Sequence, residues 1–337
     1  LRREIADLKK RAGIDAELIG GSAAIRQLRH TIERVAPTNS RVLVTGPAGA
    51  GKEVAARRVH MQSKRAEAPF VVLNCAIMTP DRVEAELFGA EPGALGPETP
   101  RKLGLFEQAH SGTLFLDEVS DLPLETQGKV VRALHEQRFT RLGGERPIEV
   151  DVRVVAATNR DLGTEIQAGR FREDLFYRLN VVPLRVPSLK ERRDDIPDLA
   201  RHFMVRAAGL SGLPARSLGA DALAVLQAGE WPGNVRQLRN VIEWLLIMAP
   251  GDVQAEIRAE MLPPELGAGA PALVNPSEDG EIMGLPLRDA REVFERNYLK
   301  AQVARFNGNV SRTASFVGME RSALHRKLKS LGINTSS

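Results

Sequence analysis

The sequence predicts an α/β fold in which helices cover both faces of a parallel sheet, followed by a helical lid and a C-terminal all-α helix-turn-helix domain. Between residues 14 and 183, short apolar runs alternate with helical patterns, as in parallel strands that are buried on both faces. From 196 to 262 the periodicity is helical, with an interruption at Pro232 and Gly233. Helical patterning resumes at Leu285 and continues toward the end of the chain.

The apolar runs are the predicted strands, and the segments around them divide the chain into five parts. Strands are expected at 41–44, 70–73, 113–116, 152–157 and 181–184. Residues 263–284 are rich in Pro, Gly and Ala without periodicity, which predicts a flexible linker. The expected parts are a leader helix at 1–13, an α/β region at 14–185, a helical lid at 186–262, the linker at 263–284 and the helix-turn-helix domain at 285–337.

The leader carries a short apolar stripe. Leu1, Ile5 and Leu8 fall on one face of a helix, although so short a helix is marginal by itself. It is either the end of a coiled coil that continues from a missing N-terminal domain or a frayed leader that packs on the body. Because the chain starts at Leu1 without Met, we expect it to be a piece of a longer protein.

The composition excludes several classes of protein. With 337 residues, 43% of them hydrophobic, the chain is long enough for two or three domains with real cores. It has no apolar run of 18 residues and no signal peptide, so we expect no membrane association. Cys75 is the single cysteine, which excludes an internal disulfide and fits a reducing cytoplasm.

Positive charge is concentrated near the C-terminus. The chain has a formal net charge of +4, and the segment from residue 288 onward contains ten basic and four acidic residues. That segment therefore carries +6 and the remainder −2. A basic domain on a near-neutral body indicates nucleic acid or another polyanion as a partner, and a solvated helical surface is the alternative.

A glycine-rich turn, called the P-loop below, joins the first predicted strand to a helix. Such a turn points backbone N–H groups at phosphates, and the helix N-terminus adds its partial positive charge. Lys52 would reach the β- and γ-phosphates, whereas Glu53 stands where the generic pattern has a Mg²⁺-binding Ser or Thr. The run predicts ATP or GTP binding, and a plain strand-to-helix turn is the alternative. Its residues are Gly46, Pro47, Ala48, Gly49, Ala50, Gly51, Lys52 and Glu53.

Two adjacent acids end a later apolar strand. Asp117 and Glu118 follow the apolar run about 65 residues after the P-loop, with a parallel-sheet pattern between them. Asp117 would hold Mg²⁺ through water, and Glu118 would orient and deprotonate the water that attacks the phosphate. The alternative is a helix N-cap followed by a first-turn acid.

Polar and basic residues supply further candidates. Thr158 and Asn159 end another apolar strand, where they are suited to sensing the γ-phosphate or positioning water; a strand-end turn is the alternative. Arg172 and Arg178 lie six residues apart and could reach a neighbour's γ-phosphate, because a fixed guanidinium charge offsets transition-state charge. Ordinary surface arginines are the alternative.

The motifs in their order and spacing resemble the AAA+ ATPase domain of the NtrC family of bacterial enhancer-binding regulators. The resemblance covers about residues 17–250, and the family commonly has Glu after the P-loop lysine, as at Glu53. It implies a hexameric or heptameric ring that binds ATP between subunits. The matching segments are 46–53, 70–75, 86–89, 112–118, 171–179, 187–196 and 231–236.

The resemblance also implies a role for individual catalytic residues. Asp117 and Glu118 correspond to the Walker B pair. Asn74 is similar to the switch residue that holds the catalytic glutamate until ATP is engaged. Arg172 and Arg178 resemble the fingers that act on the nucleotide of a neighbouring subunit.

Two further positions are identified as nucleotide contacts by the same resemblance. Arg236, in the lid, corresponds to the second sensor. Ile19 and Gly20 belong to a segment similar to the one that borders the adenine.

One loop departs from the family. Its members carry Gly-Ala-Phe-Thr-Gly-Ala after Glu-Leu-Phe-Gly, and the aromatic tip contacts the sigma-54 factor. Here residues 93–98 read Gly-Ala-Leu-Gly-Pro-Glu, with the length preserved but the Phe and Thr absent. The sequence therefore favours ATP binding strongly and sigma-54 remodelling weakly.

The basic C-terminal segment resembles the Fis-type module that ends these regulators, and residues 319–329 are similar to nitrogen-related members. The pattern from 309 to 330 predicts helix, turn and helix, with Gly318 at the turn and Ala314 at a close packing point. Early residues of the second helix would meet bases and later ones phosphates, with two copies on a palindromic site. A small structural bundle is the alternative. The candidate DNA-binding residues are Arg312, Arg321, Ser322, His325, Arg326, Lys327 and Lys329.

These features predict a cytoplasmic, ATP-binding, DNA-binding transcriptional regulator of a two-component system. The resemblance implies a receiver domain before Leu1 with its sensor kinase, ATP or ADP with Mg²⁺, ATP-linked oligomerisation, and RNA polymerase holoenzyme as a partner. Two alternatives stay open. One is a sigma-54 remodelling ATPase despite the altered loop, and the other is a nucleotide-binding DNA scaffold with little hydrolysis that acts on the major holoenzyme.

Overall fold

A computed structural model describes residues 17–249, 255–263, 266, 295, 296, 299, 303, 310–317 and 319–332. The described residues fall into two compact units, which divide between 262 and 263. The first contains the sheet and the lid, and the second contains the C-terminal helices. The predicted leader at 1–13 lies outside the described residues, as does the predicted linker apart from residues 263 and 266.

A parallel sheet forms the centre of the first unit. The strands described within residues 17–249 are β1 (Val42–Thr45), β2 (Phe70–Asn74), β3 (Gly89–Ala90), β4 (Lys102–Leu103), β5 (Thr113–Asp117), β6 (Arg138–Thr140), β7 (Pro147–Glu149), β8 (Arg153–Thr158) and β9 (Val182–Arg185). Five of them form the parallel sheet in the order β2-β5-β8-β1-β9, and two short antiparallel pairs, β3 with β4 and β6 with β7, lie apart from it.

All five predicted strands are confirmed, and each ends one residue beyond its apolar run, while those predicted at 41–44, 152–157 and 181–184 also begin one residue later. The added residues are polar or charged, and they take part in the parallel pairing of the sheet. Backbone hydrogen bonding does not require an apolar side chain, so the ladder continues after the hydrophobic pattern stops. These residues form the C-terminal edge of the sheet and are Thr45, Asn74, Asp117, Thr158 and Arg185.

Helices surround the sheet and continue into the lid. The lid begins with a 3₁₀ turn over Leu189–Asp195, called the lid turn below. The helices are α1 (Ala23–Val35), α2 (Lys52–Met61), α3 (Pro80–Phe88), α4 (Leu105–Gln108), α5 (Leu124–Glu136), α6 (Leu162–Gln167), α7 (Glu173–Leu179), α8 (Ile196–Ser211), α9 (Ala220–Ala228) and α10 (Asn234–Met248).

Alternate residues of the central strands are buried on opposite faces of the sheet. In β5, Leu114 and Leu116 belong to one hydrophobic cluster, whereas Phe115 belongs to the other. The second cluster includes Ile25 and Val59, from α1 and α2, and the first includes residues of α5 and α7. Both faces are therefore covered, which confirms the predicted parallel-sheet sandwich.

The second unit contains α11 (Val310–Phe316) and α12 (Arg321–Ser330), which pack around a small apolar core. Ala314, Leu324 and Leu328 are buried in it, as the sequence predicts. The predicted turn residue Gly318 lies outside the described residues. In the described part of the chain, no helix combines the length and the apolar composition that crossing a membrane requires.

Candidate functional site

The P-loop connects β1 to α2, and all three of its glycines have positive φ. Gly49 has φ 72° and Gly51 has φ 103°, a region that other residues rarely adopt. A Cβ atom at Gly49 would lie 2.2 Å from the carbonyl oxygen of Gly233, whereas one at Gly51 would meet nothing within 4 Å. The loop is therefore pressed against the lid at Gly49 and open at Gly51, just before the N-terminus of α2.

Lys52 and Glu118 form an ion pair beneath the P-loop. The side chain of Lys52 is only 6% exposed, and its Nζ lies 3.0 Å from Glu118 Oε1 and 3.1 Å from the carbonyl oxygen of Gly46. The other carboxylate oxygen, Glu118 Oε2, accepts a hydrogen bond from the backbone N–H of Asn159 at 2.9 Å. The structure thus brings together the predicted lysine, the predicted base and one strand-end residue.

Asp117 lies next to this pair at the end of β5. Burial raises the pKa of its carboxyl group, and the nearby Glu118 carboxylate raises it further, while the Lys52 ammonium acts in the opposite direction. The part of this shift that comes from the Glu118 carboxylate reflects a second negative charge beside Asp117, and two adjacent carboxylates favour a bound cation.

The described residues contain no group of three or more His, Cys, Asp or Glu side chains that could hold a metal by themselves. Mg²⁺ does not need such a group, because it usually takes one or two carboxylates together with substrate phosphates and water. The Glu53 carboxylate accepts hydrogen bonds from Arg57 at 2.9 and 2.7 Å. Asp117 is consequently the carboxylate in this cleft that fits the predicted magnesium site.

Asn74 has a local partner in this structure. It pairs with Asp117 in the β2–β5 register, and its Oδ1 accepts a hydrogen bond from the N–H of Ala76 at 3.0 Å. Glu118 is instead bonded to Lys52 and to the N–H of Asn159. The switch role that the resemblance implies for Asn74 stays a prediction.

Thr158 and Asn159 differ in exposure. Thr158 is fully buried, its Oγ1 lies 3.1 Å from Ser120 Oγ, and it also accepts a hydrogen bond from the N–H of Arg160. Asn159 is exposed. Asn159 is therefore the more accessible of the two strand-end residues, and the predicted role of Thr158 toward the γ-phosphate or water stays a prediction.

The two candidate finger arginines flank α7. Arg172 immediately precedes the helix, is 47% exposed, and donates to both carboxylate oxygens of Asp174 at 3.0 and 2.7 Å. The Asp174 carboxylate raises the pKa of Arg172, which stays charged. Arg178, in the last turn, is half-buried. Their role toward a second subunit stays a prediction.

The lid holds the predicted adenine-side segment at residues 19–22. The Asp195 carboxylate, which ends the lid turn, accepts hydrogen bonds from the Ser22 N–H at 2.7 Å and Oγ at 2.6 Å. A Cβ atom at Gly20 would lie 2.2 Å from the Asp195 carboxyl carbon, so this close approach requires glycine. Ile19 is half-buried beside it.

Lid residues also contact the P-loop backbone. The N–H of Arg236 donates to the carbonyl oxygen of Gly49 at 3.2 Å, and the Arg236 side chain is exposed. Asn234 Nδ2 donates to the Ala48 carbonyl oxygen at 2.9 Å, and Arg192 Nη2 donates to that of Ala50 at 2.8 Å. Sequence reasoning assigned no role to Asn234, Arg192 or Asp195, although all three lie in segments that carry the family resemblance.

The second unit exposes a basic helix surface on α12. Arg326 Nε donates weakly to the carbonyl oxygen of Ser322 at 3.4 Å, and Lys327 Nζ pairs with Glu295 at 2.5 Å. The Arg312 side chain is not among the described parts of the chain. The Glu295 carboxylate offsets the positive charge of Lys327 and so weakens its attraction for a phosphate group. Arg326 is therefore the stronger candidate for a phosphate contact. The exposed candidates are Arg321, Ser322, His325, Arg326 and Lys329.

Three family models match the chain in succession. The sigma-54 interaction domain matches residues 18–185, the AAA+ ATPase lid domain matches 190–278, and the bacterial regulatory protein model of the Fis family matches 290–331. The first two models cover the sheet and the lid, and the third covers the two C-terminal helices.

Comparisons over nearly the whole of this chain give the same assignment. The nitrogen assimilation regulatory protein NtrX of Azorhizobium caulinodans is 57% identical over 333 residues, which cover 99% of this chain and 72% of that protein. The DNA-binding transcriptional regulator NtrC of a Bradyrhizobium species is 40% identical, with 98% of this chain and 74% of that protein covered.

A solved protein also matches in three dimensions. The crystal structure of NtrX from Brucella abortus in complex with ADP superimposes with a TM-score of 0.72 at 54% identity, and the complex with ATP gives 0.71 at 53% identity. Each comparison covers 98% of this chain and 72% of the solved one.

Proposed function

Because this chain belongs to the NtrC family of DNA-binding transcriptional regulators, among members of the NtrX type, we propose that it binds and hydrolyses ATP in its first unit and binds operator DNA through its second. The observation that carries the ATP proposal is the buried Lys52–Glu118 pair between the P-loop and the sheet edge. The solved NtrX relative in complex with ATP, at 53% identity, supports the same ligand for this chain.

The proposed chemistry follows from the side chains in the cleft. Lys52 would neutralise the β- and γ-phosphates from its buried position, and Glu118 would accept the proton of the attacking water. Asn159, exposed beside Glu118, would help to orient that water. Asp117 would hold Mg²⁺, whose charge offsets that of the phosphate oxygens.

We further propose that hydrolysis is completed by a second copy of the chain. Arg172 is exposed at the start of α7 and is held by Asp174. An arginine on the surface can be presented to a neighbour's γ-phosphate, where its fixed charge stabilises the transition state. This supports an ATP-linked ring of six or seven subunits with Arg172 and Arg178 acting between them.

DNA binding is proposed for α12, with two copies on a palindromic site. Arg321, Ser322 and His325 lie at its exposed N-terminal half, which is the part of a recognition helix that meets base edges. Arg326 and Lys329 are exposed further along, where phosphate contacts are expected. Pairing of copies through the helical pattern near 293–306 belongs to the same proposal.

Replacing Arg326 with alanine is expected to weaken operator binding several-fold and to lower the slope of log K against log salt by about 1, because one phosphate contact is lost. Gel-shift titrations over a range of salt concentrations measure both quantities. Ser330→Ala, an exposed uncharged change on the same helix, should leave the slope intact. An Arg326→Ala titration that overlays the wild type would contradict the phosphate role.

The loop at 93–98 indicates which form of RNA polymerase holoenzyme the protein acts on. It forms a compact turn in which Gly93 N–H donates to the Thr99 carbonyl oxygen at 3.0 Å, and Leu95 is 46% exposed at its tip. Family members contact the sigma-54 factor with a phenylalanine ring and a threonine hydroxyl in this loop, and Leu95 and Gly96 have neither group. We propose a regulator that acts on the major holoenzyme, and the sigma-54 interaction model matched by residues 18–185 keeps sigma-54 remodelling as the second candidate.

Transcription in vitro separates these two candidates. On a promoter that carries the protein's binding site, we expect no ATP-dependent open complexes with sigma-54 holoenzyme, because the loop lacks its aromatic and hydroxyl contacts. An NtrC protein on its own sigma-54 promoter is the positive control. Open complexes that appear only when ATP is hydrolysed would establish sigma-54 remodelling and overturn the preference for the major holoenzyme.

A further inference from the structure

Three successive carbonyl groups of the P-loop are each held by the lid. Ala48 O accepts from Asn234 Nδ2 at 2.9 Å, Gly49 O accepts from the N–H of Arg236 at 3.2 Å, and Ala50 O accepts from Arg192 Nη2 at 2.8 Å. Peptide groups are planar and trans, so a carbonyl that faces the lid turns the next N–H away from it. The N–H groups of Gly49 and Gly51 are thereby aimed away from the lid groups that hold the loop, which leaves them available to phosphates.

Asn234 joins the P-loop to the lid turn through a single amide. Its Oδ1 accepts from the N–H of Leu189 at 2.8 Å while its Nδ2 donates to Ala48 O. The side chain is 4% exposed, and the backbone has φ 51°, which asparagine tolerates better than most residues. Both ends of the amide are satisfied only in this orientation, because a flipped amide would set donor against donor and acceptor against acceptor.

Arg192 supports the same loop from the lid turn. It is 4% exposed, and burial lowers its pKa while the nearby Asp195 carboxylate opposes that shift. Asp195 in turn holds the N–H and hydroxyl of Ser22. A buried guanidinium is costly unless it is hydrogen bonded; here Nη2 donates to Ala50 O, whereas the buried Nε has no hydrogen-bond partner in the described part of the chain. The lid turn therefore supports both the P-loop and the adenine-side segment.

We propose that Asn234 and Arg192 are positioning residues that hold the P-loop in its phosphate-binding shape, so that nucleotide affinity depends on the lid even where no lid side chain touches the nucleotide. This proposal rests on the proposed ATP binding. Without these hydrogen bonds, the P-loop must be ordered at the moment of binding, and that cost reduces affinity. The side-chain hydrogen bonds of Asn234 and Arg192 go to Leu189, Ala48 and Ala50, not to Asp117 or Glu118, so we expect the loss to lower nucleotide affinity and to leave the rate of the chemical step unchanged.

Asn234→Asp tests the proposal with the smallest change in shape. Aspartate also tolerates positive φ, and it keeps the acceptor for Leu189 N–H, but it sets a carboxylate oxygen against Ala48 O. Asn234→Gly keeps the backbone conformation and removes the amide without adding charge. Gln237→Glu is the matched control, because it makes the same amide-to-acid change on α10 and keeps the acceptor for the N–H of Gly233.

Calorimetry with ATP, thermal unfolding without nucleotide, and steady-state hydrolysis give the required readouts. For both Asn234 variants, we expect ATP affinity to fall about tenfold, which corresponds to about 1.4 kcal/mol, and KM to rise with kcat nearly unchanged. Gln237→Glu should change affinity less than about twofold, because the half-buried side chain bonds to the N–H of Gly233 and holds no carbonyl group of the P-loop.

The outcomes separate this proposal from the one on which it rests. If the Asn234 variants unfold at lower temperature but bind ATP with wild-type affinity when folded, Asn234 is merely structural and the proposal is overturned. An equal loss in Gln237→Glu would overturn it as well, since added charge would then be the cause. A wild-type protein that binds no ATP would overturn the proposed function itself, whatever the variants do.

Discussion

Lys52→Ala is expected to lower ATP affinity at least about 100-fold, which makes it the variant with the largest effect on binding. The Lys52 ammonium is buried and lies 3.0 Å from Glu118, beside Asp117. Its removal takes away the charge that meets the phosphates and leaves two carboxylates that repel them. Isothermal titration calorimetry with ATP measures the loss directly.

Lys64→Ala is the control for this variant. Lys64 is an exposed lysine shortly after α2, so its replacement changes the same residue type without touching the cleft. Both proteins should be compared by thermal unfolding first, since Lys52→Ala leaves Glu118 with only its hydrogen bond from Asn159. A folded Lys52→Ala protein with unchanged ATP affinity would remove the basis for the P-loop assignment.

Glu118→Gln is expected to stop ATP turnover while ATP stays bound. Glutamine has nearly the same shape and can keep the acceptor for the N–H of Asn159, but it cannot take a proton from water. Loss of a general base reduces rates by about 10²- to 10⁴-fold. The change also removes the negative charge that pairs with Lys52, which frees the ammonium for the phosphates. Affinity for ATP should therefore be retained or increased.

Phosphate release and calorimetry on the same preparation test both halves of this prediction. Glu125→Gln provides the control, because Glu125 is 81% exposed in the first turn of α5 and pairs with Lys129 at 3.5 Å on the surface. Its turnover should match the wild type. Phosphate release by Glu118→Gln at the wild-type rate would assign the base to another residue, and a loss of ATP binding would mean that Glu118 supports the cleft.

Much of the fold could be predicted because its signals are local. The apolar runs at 70–73 and 113–116 predicted strands that the structure contains, and the glycine-rich run predicted the strand-to-helix turn that the structure shows before Lys52. The pairing of Lys52 with Glu118 also follows from topology, since parallel strands bring their C-terminal ends to one edge.

Side-chain orientation at the strand ends could not be predicted in the same way. Thr158 and Asn159 were equal candidates in the sequence, yet one is buried against Ser120 and the other is exposed. Asn74 caps the turn at Ala76 in this structure. Each orientation depends on which neighbouring element supplies a hydrogen-bond partner, and the pattern along a single strand carries no such information.

The sequence by itself determined the α/β architecture, the P-loop, the acidic pair and the basic helix of this protein, because periodicity, glycine conformations and residue spacing act over short stretches of chain. Only the tertiary structure decided how the lid meets the nucleotide-binding segments. Asn234, Arg192 and Asp195 bond to residues 186, 142 and 173 positions away, respectively. Such hydrogen bonds form only when distant elements pack together, because buried polar groups must then be paired. Local sequence patterns predict where the site lies along the chain, whereas these long-range hydrogen bonds determine its shape.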